Sequence, residues 1–168
     1  MSKLRLIIEP IPSSSAMASL AKLLPSPQWE RIRRSVYKRA GYRCQICGQD
    51  ARLNCHEVWY HNERTGYQWL MGFQALCDDC HGVKHILSIG NRHVFDRLAR
   101  HFIEVNRVSY EEFQTHLRDA RSRQRELNRR EWHVSFDKYA FRVPALRDRE
   151  QRRRYVELEN PCYRQAGR

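Results

Sequence analysis

The chain has 168 residues, with 31 lysines and arginines against 19 aspartates and glutamates, a formal charge of +12 at neutral pH. That length buries about 70% of the unfolded surface, so a hydrophobic core is available without disulfide staples, and the excess of base favours a polyanionic partner. Mean hydropathy is −0.79, and no stretch approaches the roughly 20 apolar residues of a membrane-spanning helix, so no membrane partner is expected.

The N-terminal run Leu4, Leu6, Ile8 alternates with other residues and ends at Pro10, which predicts a short strand closed by a residue that cannot donate to a ladder. The run is too short for a signal-peptide core and lacks a small-residue cleavage site, so the expected location is the cytoplasm. Residues 13–19 are small and polar and read as a linker. Ser26 before Pro27 opens a helix, with Trp29, Ile32, Val36 and Ala40 on one stripe and Gly41 as its stop. Arg31, Arg34, Lys38 and Arg39 lie off that stripe and are candidates to track a phosphate backbone.

From Gly41 to Leu87 the chain is dense in Cys, His, Trp and Tyr. Arg52–Trp59 and Gln68–Leu76 read as two strands around a turn, and Cys80–Leu87 as a helix. Trp59 and Trp69 are read as packing residues of that hairpin. Val94, Phe95, Leu98, Phe102 and Val105 then share a helical stripe, and Ser109 with Glu112 has capping-box spacing for a helix running to about Arg129. Trp132, Val134 and Phe136 alternate as a short strand, and residues 144–168 are arginine-rich, with three arginines at 152–154.

Four of the six cysteines form two Cys-x-x-Cys pairs, Cys44/Cys47 and Cys77/Cys80, with 29 residues between them, room for a hairpin that returns the second pair to the first. Duplicated pairs at this spacing predict one structural zinc held by four thiolates, a closed site that supports the fold and does no chemistry. Gly48 follows the first pair, where the turn calls for positive φ. Cys55 and Cys162 are left as free thiols.

Between the pairs stands Leu53-Asn54-Cys55-His56-Glu57-Val58-Trp59, and Cys80 is followed by His81-Gly82-Val83-Lys84-His85. A Cys-x-x-Cys-Gly, a strand carrying two adjacent polar residues, and a closing Cys-x-x-Cys-His-x-x-Lys resemble the zinc-stapled HNH nucleases over about Trp29–Leu87. The wider frame, with the N-terminal run and the Trp132 segment, is similar to a group of small HNH proteins. The resemblance implies an α+β chain with a ββα-metal core, flanked by an N-terminal strand and helix and by C-terminal helices. The expected organisation is 1–26 strand and linker, 27–90 HNH zinc domain, 91–142 helical extension with a short strand, and 143–168 arginine-rich tail.

The family's pattern places a metal ligand at His56, its general base at Glu57 and its closing ligand at His81, with His85 one helical turn on. Catalytic residues implied are His56, Glu57 and His81, and Mg²⁺ or Mn²⁺ would be held by His56, Glu57, His81 and His85. Glutamate suits ligation better than proton abstraction, so a second assignment has His56 activating water while Glu57, His81 and His85 hold the cation. A one-residue slip would bring in Cys55, and Tyr60 and His61 are reserve candidates. Adjacent strand residues face opposite sides, so His56 and Glu57 share a site only if the strand bends or ends there. Gly72 stands where the family has an asparagine, and Gln74 would replace it only in another register. Lys84 joins the helix cations as a nucleic-acid contact, while His93, His101, His116 and His133 are read as ordinary. The implied function is metal-dependent hydrolysis of nucleic-acid phosphodiesters, with double-stranded DNA as the expected partner. The alternative is an HNH zinc module that binds nucleic acid without turnover.

Overall fold

A computed structural model of the chain describes residues 4–16 and 19–136. The arginine-rich segment 143–168, with Cys162, lies outside them. The described residues carry five α-helices and one three-stranded sheet, a mixed α+β fold. In chain order these are α1 (Leu20–Leu23), α2 (Ser26–Arg39), β1 (Leu53–Asn62), β2 (Tyr67–Cys77), α3 (Asp78–Lys84), α4 (Arg92–Asn106), α5 (Tyr110–Leu127) and β3 (His133–Ser135). The strand order is β1-β2-β3, with β3 parallel to β2 and Gln68 opposite Val134.

Local chemistry sets most of these boundaries. The Pro25 carbonyl accepts from the amides of Gln28 and Trp29, so Ser26 lies inside the first turn of α2 instead of capping it. Asn91 caps α4 by accepting from Val94 N–H at 3.2 Å. The expected box forms at α5: Ser109 Oγ accepts from Glu112 N–H at 3.1 Å, and the Glu112 carboxylate accepts from Ser109 N–H at 2.8 Å. The β1–β2 turn closes through Asn62, whose Oδ1 accepts from the amides of Arg64 and Thr65.

The described residues group into two units that interleave along the chain. One contains the residues up to Pro10, Tyr37–His56 and Ala75–Leu127. Its core joins Leu6, Ile8, Leu76, Val83, Ile86, Leu98, Phe102, Phe113 and Leu117. Gly82 lets α3 approach α4 closely, since a Cβ there would stand 2.7 Å from Leu98 Cδ2. The other contains Ile11–Val36, Glu57–Gln74 and the residues from Asn128. Its core joins Leu20, Leu24, Leu70, Val134 and Phe136, with Trp29, Ile32, Trp59 and Phe73 packed against them.

The strand expected at Leu4–Pro10 is not among the sheet strands. Leu6 and Ile8 are buried and Ile7 is exposed, as alternation requires, but the backbone groups find other partners. Asn106 Oδ1 accepts from the amides of Arg5 and Leu6, and Asn106 Nδ2 donates to the Leu6 carbonyl at 2.8 Å. His116 Nε2 accepts from Ile8 N–H, and the Lys84 carbonyl accepts from Glu9 N–H. The segment is a strap pinned by side chains of α4 and α5 and by the α3 backbone. Residues read as a linker also include a 3-10 turn, Ser13–Ser15, whose buried Ser15 donates to Gln68 Oε1 at 2.5 Å.

Candidate metal centres

Cys44 and Cys47 sit on a tight loop after α2, closed by Gly48 N–H donating to the Cys44 carbonyl at 2.9 Å. Gly48 has φ +79°, the left-handed conformation glycine takes without strain. The loop is tied to β2 by two bonds: Gln45 N–H donates to the Ala75 carbonyl, and Ala75 N–H donates to Gln45 Oε1. Cys77 ends β2 and caps α3, accepting from Cys80 N–H at 3.4 Å. The hairpin therefore returns the second pair to the first.

The four sulfurs lie within 4.8 Å of one another, with Cys47 Sγ and Cys77 Sγ 3.6 Å apart. A tetrahedron with zinc–sulfur bonds of about 2.3 Å has edges of about 3.8 Å, so the spacing is compatible with zinc. Cys44, Cys77 and Cys80 are buried and Cys47 is half-buried. Without a cation, four such sulfurs compete for charge. Cys44 is lowered to about 3, first by a hydrogen bond from Cys80, whereas burial pushes Cys77 up to about 11. Cys80 is raised further, first by that same bond to Cys44 and then by burial. A divalent ion removes the competition by stabilising every thiolate together. His101, read as ordinary from the sequence, is buried on α4 with Nε2 3.1 Å from Cys80 Sγ. Its signal is its place on the apolar stripe, three residues beyond Leu98.

The same unit holds a second group of ligand-type atoms, contributed by His56, His81 and His85, all within 4.8 Å of one another. His56 comes from β1 and is 3% exposed, His81 comes from α3, and His85 stands at that helix's C-cap. Ring centroids are 5.4 Å apart for His56–His81, 5.2 Å for His56–His85 and 4.7 Å for His81–His85. Burial lowers His81, and the charge of His56 adds to the effect. Burial likewise lowers His85 to about 4, assisted by the charges of His81 and His56. At neutral pH these two rings are uncharged lone-pair donors, the form a metal requires.

Glu9 supplies the carboxylate that sequence reading missed. Its Oε2 lies 2.8 Å from His56 Nε2 and its Oε1 accepts from Lys84 Nζ at 2.6 Å. Burial alone would raise Glu9, but hydrogen bonding and charge from His56, then Lys84, hold it down at about 2. No local signal marks it, since it is one acidic residue in the apolar run Leu6-Ile7-Ile8-Glu9-Pro10.

Two expected site residues are placed elsewhere. Glu57 is not among the imidazole group, because β1 continues unbroken to Asn62 and alternation turns it to the opposite face from His56. Its carboxylate accepts from Leu20 N–H at 2.7 Å, and burial raises it to about 7. Lys84 is not a surface cation: it is 4% exposed and ion-paired with Glu9. Arg31, Arg34, Lys38 and Arg39 are exposed along α2, with Arg34 paired to Glu30 at 3.4 Å. Cys55 is half-buried in β1 and belongs to neither ligand group. The His61 ring packs edge-on against Trp132 at 5.0 Å, and Tyr60 stacks on Trp69. Gly72 lies within β2 and presents no side chain, while Gln74 Oε1 is buried with no hydrogen-bond partner among the described residues.

No family model, curated protein or solved structure matches the chain. Among the described residues, no helix is long and apolar enough to cross a membrane.

Proposed function

We propose that the protein is an HNH-type, metal-dependent endonuclease acting on nucleic acid, with double-stranded DNA as the expected substrate. The observation that carries this reading is the convergence of His56, His81 and His85 in the same unit as the four-cysteine cluster. The donor set fits a divalent transition ion: three imidazoles suit Zn²⁺ best, whereas Mg²⁺ and Mn²⁺ favour oxygen ligands and would draw them from water and the phosphate. A bound divalent ion supplies an acidified water and stabilises charge on a phosphate oxygen and on the departing oxygen. The chain's part is to hold the three rings fixed, with His81 and His85 uncharged, to exclude Glu57 from them, and to offer α2 cations to the phosphate backbone.

The test is cleavage of supercoiled and linear DNA by zinc-loaded protein with Mn²⁺ added. Cleavage is expected with Mn²⁺ and abolished by His56→Ala or His81→Ala while circular dichroism stays unchanged. Absence of cleavage on duplex, branched and single-stranded substrates alike defeats the reading.

A second reading has a specific observation in its favour. Glu57 occupies the position of the family's general base yet is turned to Leu20 N–H, which suits a nucleic-acid-binding HNH module without turnover. That protein would bind DNA with a steep salt dependence unaffected by His81→Ala.

A further inference from the structure

Resting on the metal-dependent reading above, we infer that Glu9 is a positioning residue of the imidazole site: it fixes the proton of His56 on Nε2 and leaves the Nδ1 lone pair to face the cation. A carboxylate paired with the Lys84 ammonium at 2.6 Å offers acceptors only, so the ring nitrogen 2.8 Å from its Oε2 is the donor. With Nε2–H committed to Glu9, Nδ1 is the one His56 atom left to ligate. The carboxylate is itself fixed. Its other oxygen takes the buried Lys84 ammonium, and Glu9 N–H donates to the Lys84 carbonyl at 3.0 Å, so Glu9 grips one α3 residue by backbone and side chain. The strap before it is pinned at Leu6 by Asn106 and at Ile8 by His116. Both Glu9 oxygens are engaged, which makes it an orienting partner and not a fourth ligand. Removing such partners weakens metal binding about 10- to 100-fold.

Two measurements test the inference. The first is the ¹H–¹⁵N long-range spectrum of the protein with zinc on its thiolates and no other metal added. His56 is expected as the Nε2–H tautomer, and an Nδ1–H tautomer overturns the assignment. The second is Mn²⁺ titration by calorimetry, comparing wild type with Glu9→Met/Lys84→Met and Glu9→Gln/Lys84→Met. Each pair removes one negative and one positive charge, so net electrostatics cancel and no ammonium is left unpaired. The expected result is 10- to 100-fold weaker Mn²⁺ binding for the Met/Met pair and recovery of most of it with Gln, whose amide oxygen still accepts from Nε2–H. Wild-type affinity in a folded Met/Met variant overturns the inference, as does a Glu9 oxygen in the coordination sphere of Mn²⁺-soaked crystals. Wild-type protein that binds no Mn²⁺ defeats the metal-dependent reading instead, and the tautomer then decides the role of Glu9 alone.

Discussion

Asn106 is the residue on which the N-terminal strap depends, and replacing it with alanine tests that dependence. The side chain makes three bonds: Oδ1 accepts from Arg5 N–H at 2.9 Å and from Leu6 N–H at 3.0 Å, and Nδ2 donates to the Leu6 carbonyl at 2.8 Å. A typical bond contributes about 1 kcal/mol net, and a buried group left unpaired costs about 1–3 kcal/mol. Arg5 N–H is exposed and regains water, whereas Leu6 is fully buried, so its N–H and C=O carry most of the loss. The expected destabilisation is about 2–3 kcal/mol, read as a lower denaturant midpoint with the slope unchanged. The change should also be local. Amide exchange at Leu6, Ile8 and Glu9 should accelerate well before that of Leu98 or Phe102, because the strap opens while the helical core stays closed. If Asn106→Ala costs under about 0.5 kcal/mol, or if those three amides exchange only with global unfolding, the strap is held by its apolar contacts and the role given to Asn106 is wrong.

Stripping zinc with a strong chelator, or replacing Cys80 with serine, should unfold the unit containing the thiolates. A structural zinc is worth about 10–16 kcal/mol against a typical domain stability of about 5–15 kcal/mol, and loss of near-UV dichroism coincident with zinc release is the readout. Glu57→Gln should raise stability at alkaline pH and leave the proposed nuclease activity unchanged. With its carboxyl raised from 4.5 to about 7 by burial, the wild type is unpenalised below pH 4.5 and loses up to about 3 kcal/mol as pH rises through 7. About 2 kcal/mol of that loss falls between pH 5.5 and 8, so parallel stability curves for wild type and Glu57→Gln over that range refute the account. Gly82→Ala should be the milder of two substitutions: its added Cβ stands 2.7 Å from Cδ2 of the buried Leu98, a crowding that about 1 kcal/mol of helix propensity offsets in part. Gly82→Val should cost about 1–3 kcal/mol by overpacking, and equal melting temperatures for the two variants would show that α3 has room to move.

What the sequence made legible is what local chemistry decides. The Cys-x-x-Cys spacing, the Gly48 turn and the Ser109–Glu112 box each depend on residues within a few positions, and the structure shows each of them. Alternation along the hairpin likewise sends His56 and Glu57 to opposite faces, because β1 neither bends nor ends between them. The strap was misread for the opposite reason. An alternating apolar run says which side chains are buried but not which groups satisfy its amides, and here those are Asn106 and His116, 100 and 108 positions away. Lys84 was misread because a lysine beside a histidine motif resembles a phosphate contact until its distant partner is known.

Glu9 and Lys84 bear on one another in a way that neither residue shows alone. A buried ammonium without a counter-charge is costly, and so is a largely buried carboxylate without one. Their ion pair, 2.6 Å long, lets both sit inside while one carboxylate oxygen remains for His56. Lys84→Met alone should therefore do more than remove a cation. It would leave Glu9 with a single fixed oxygen, free to rotate toward whatever ion the three rings hold, and so convert an orienting group into a competing ligand.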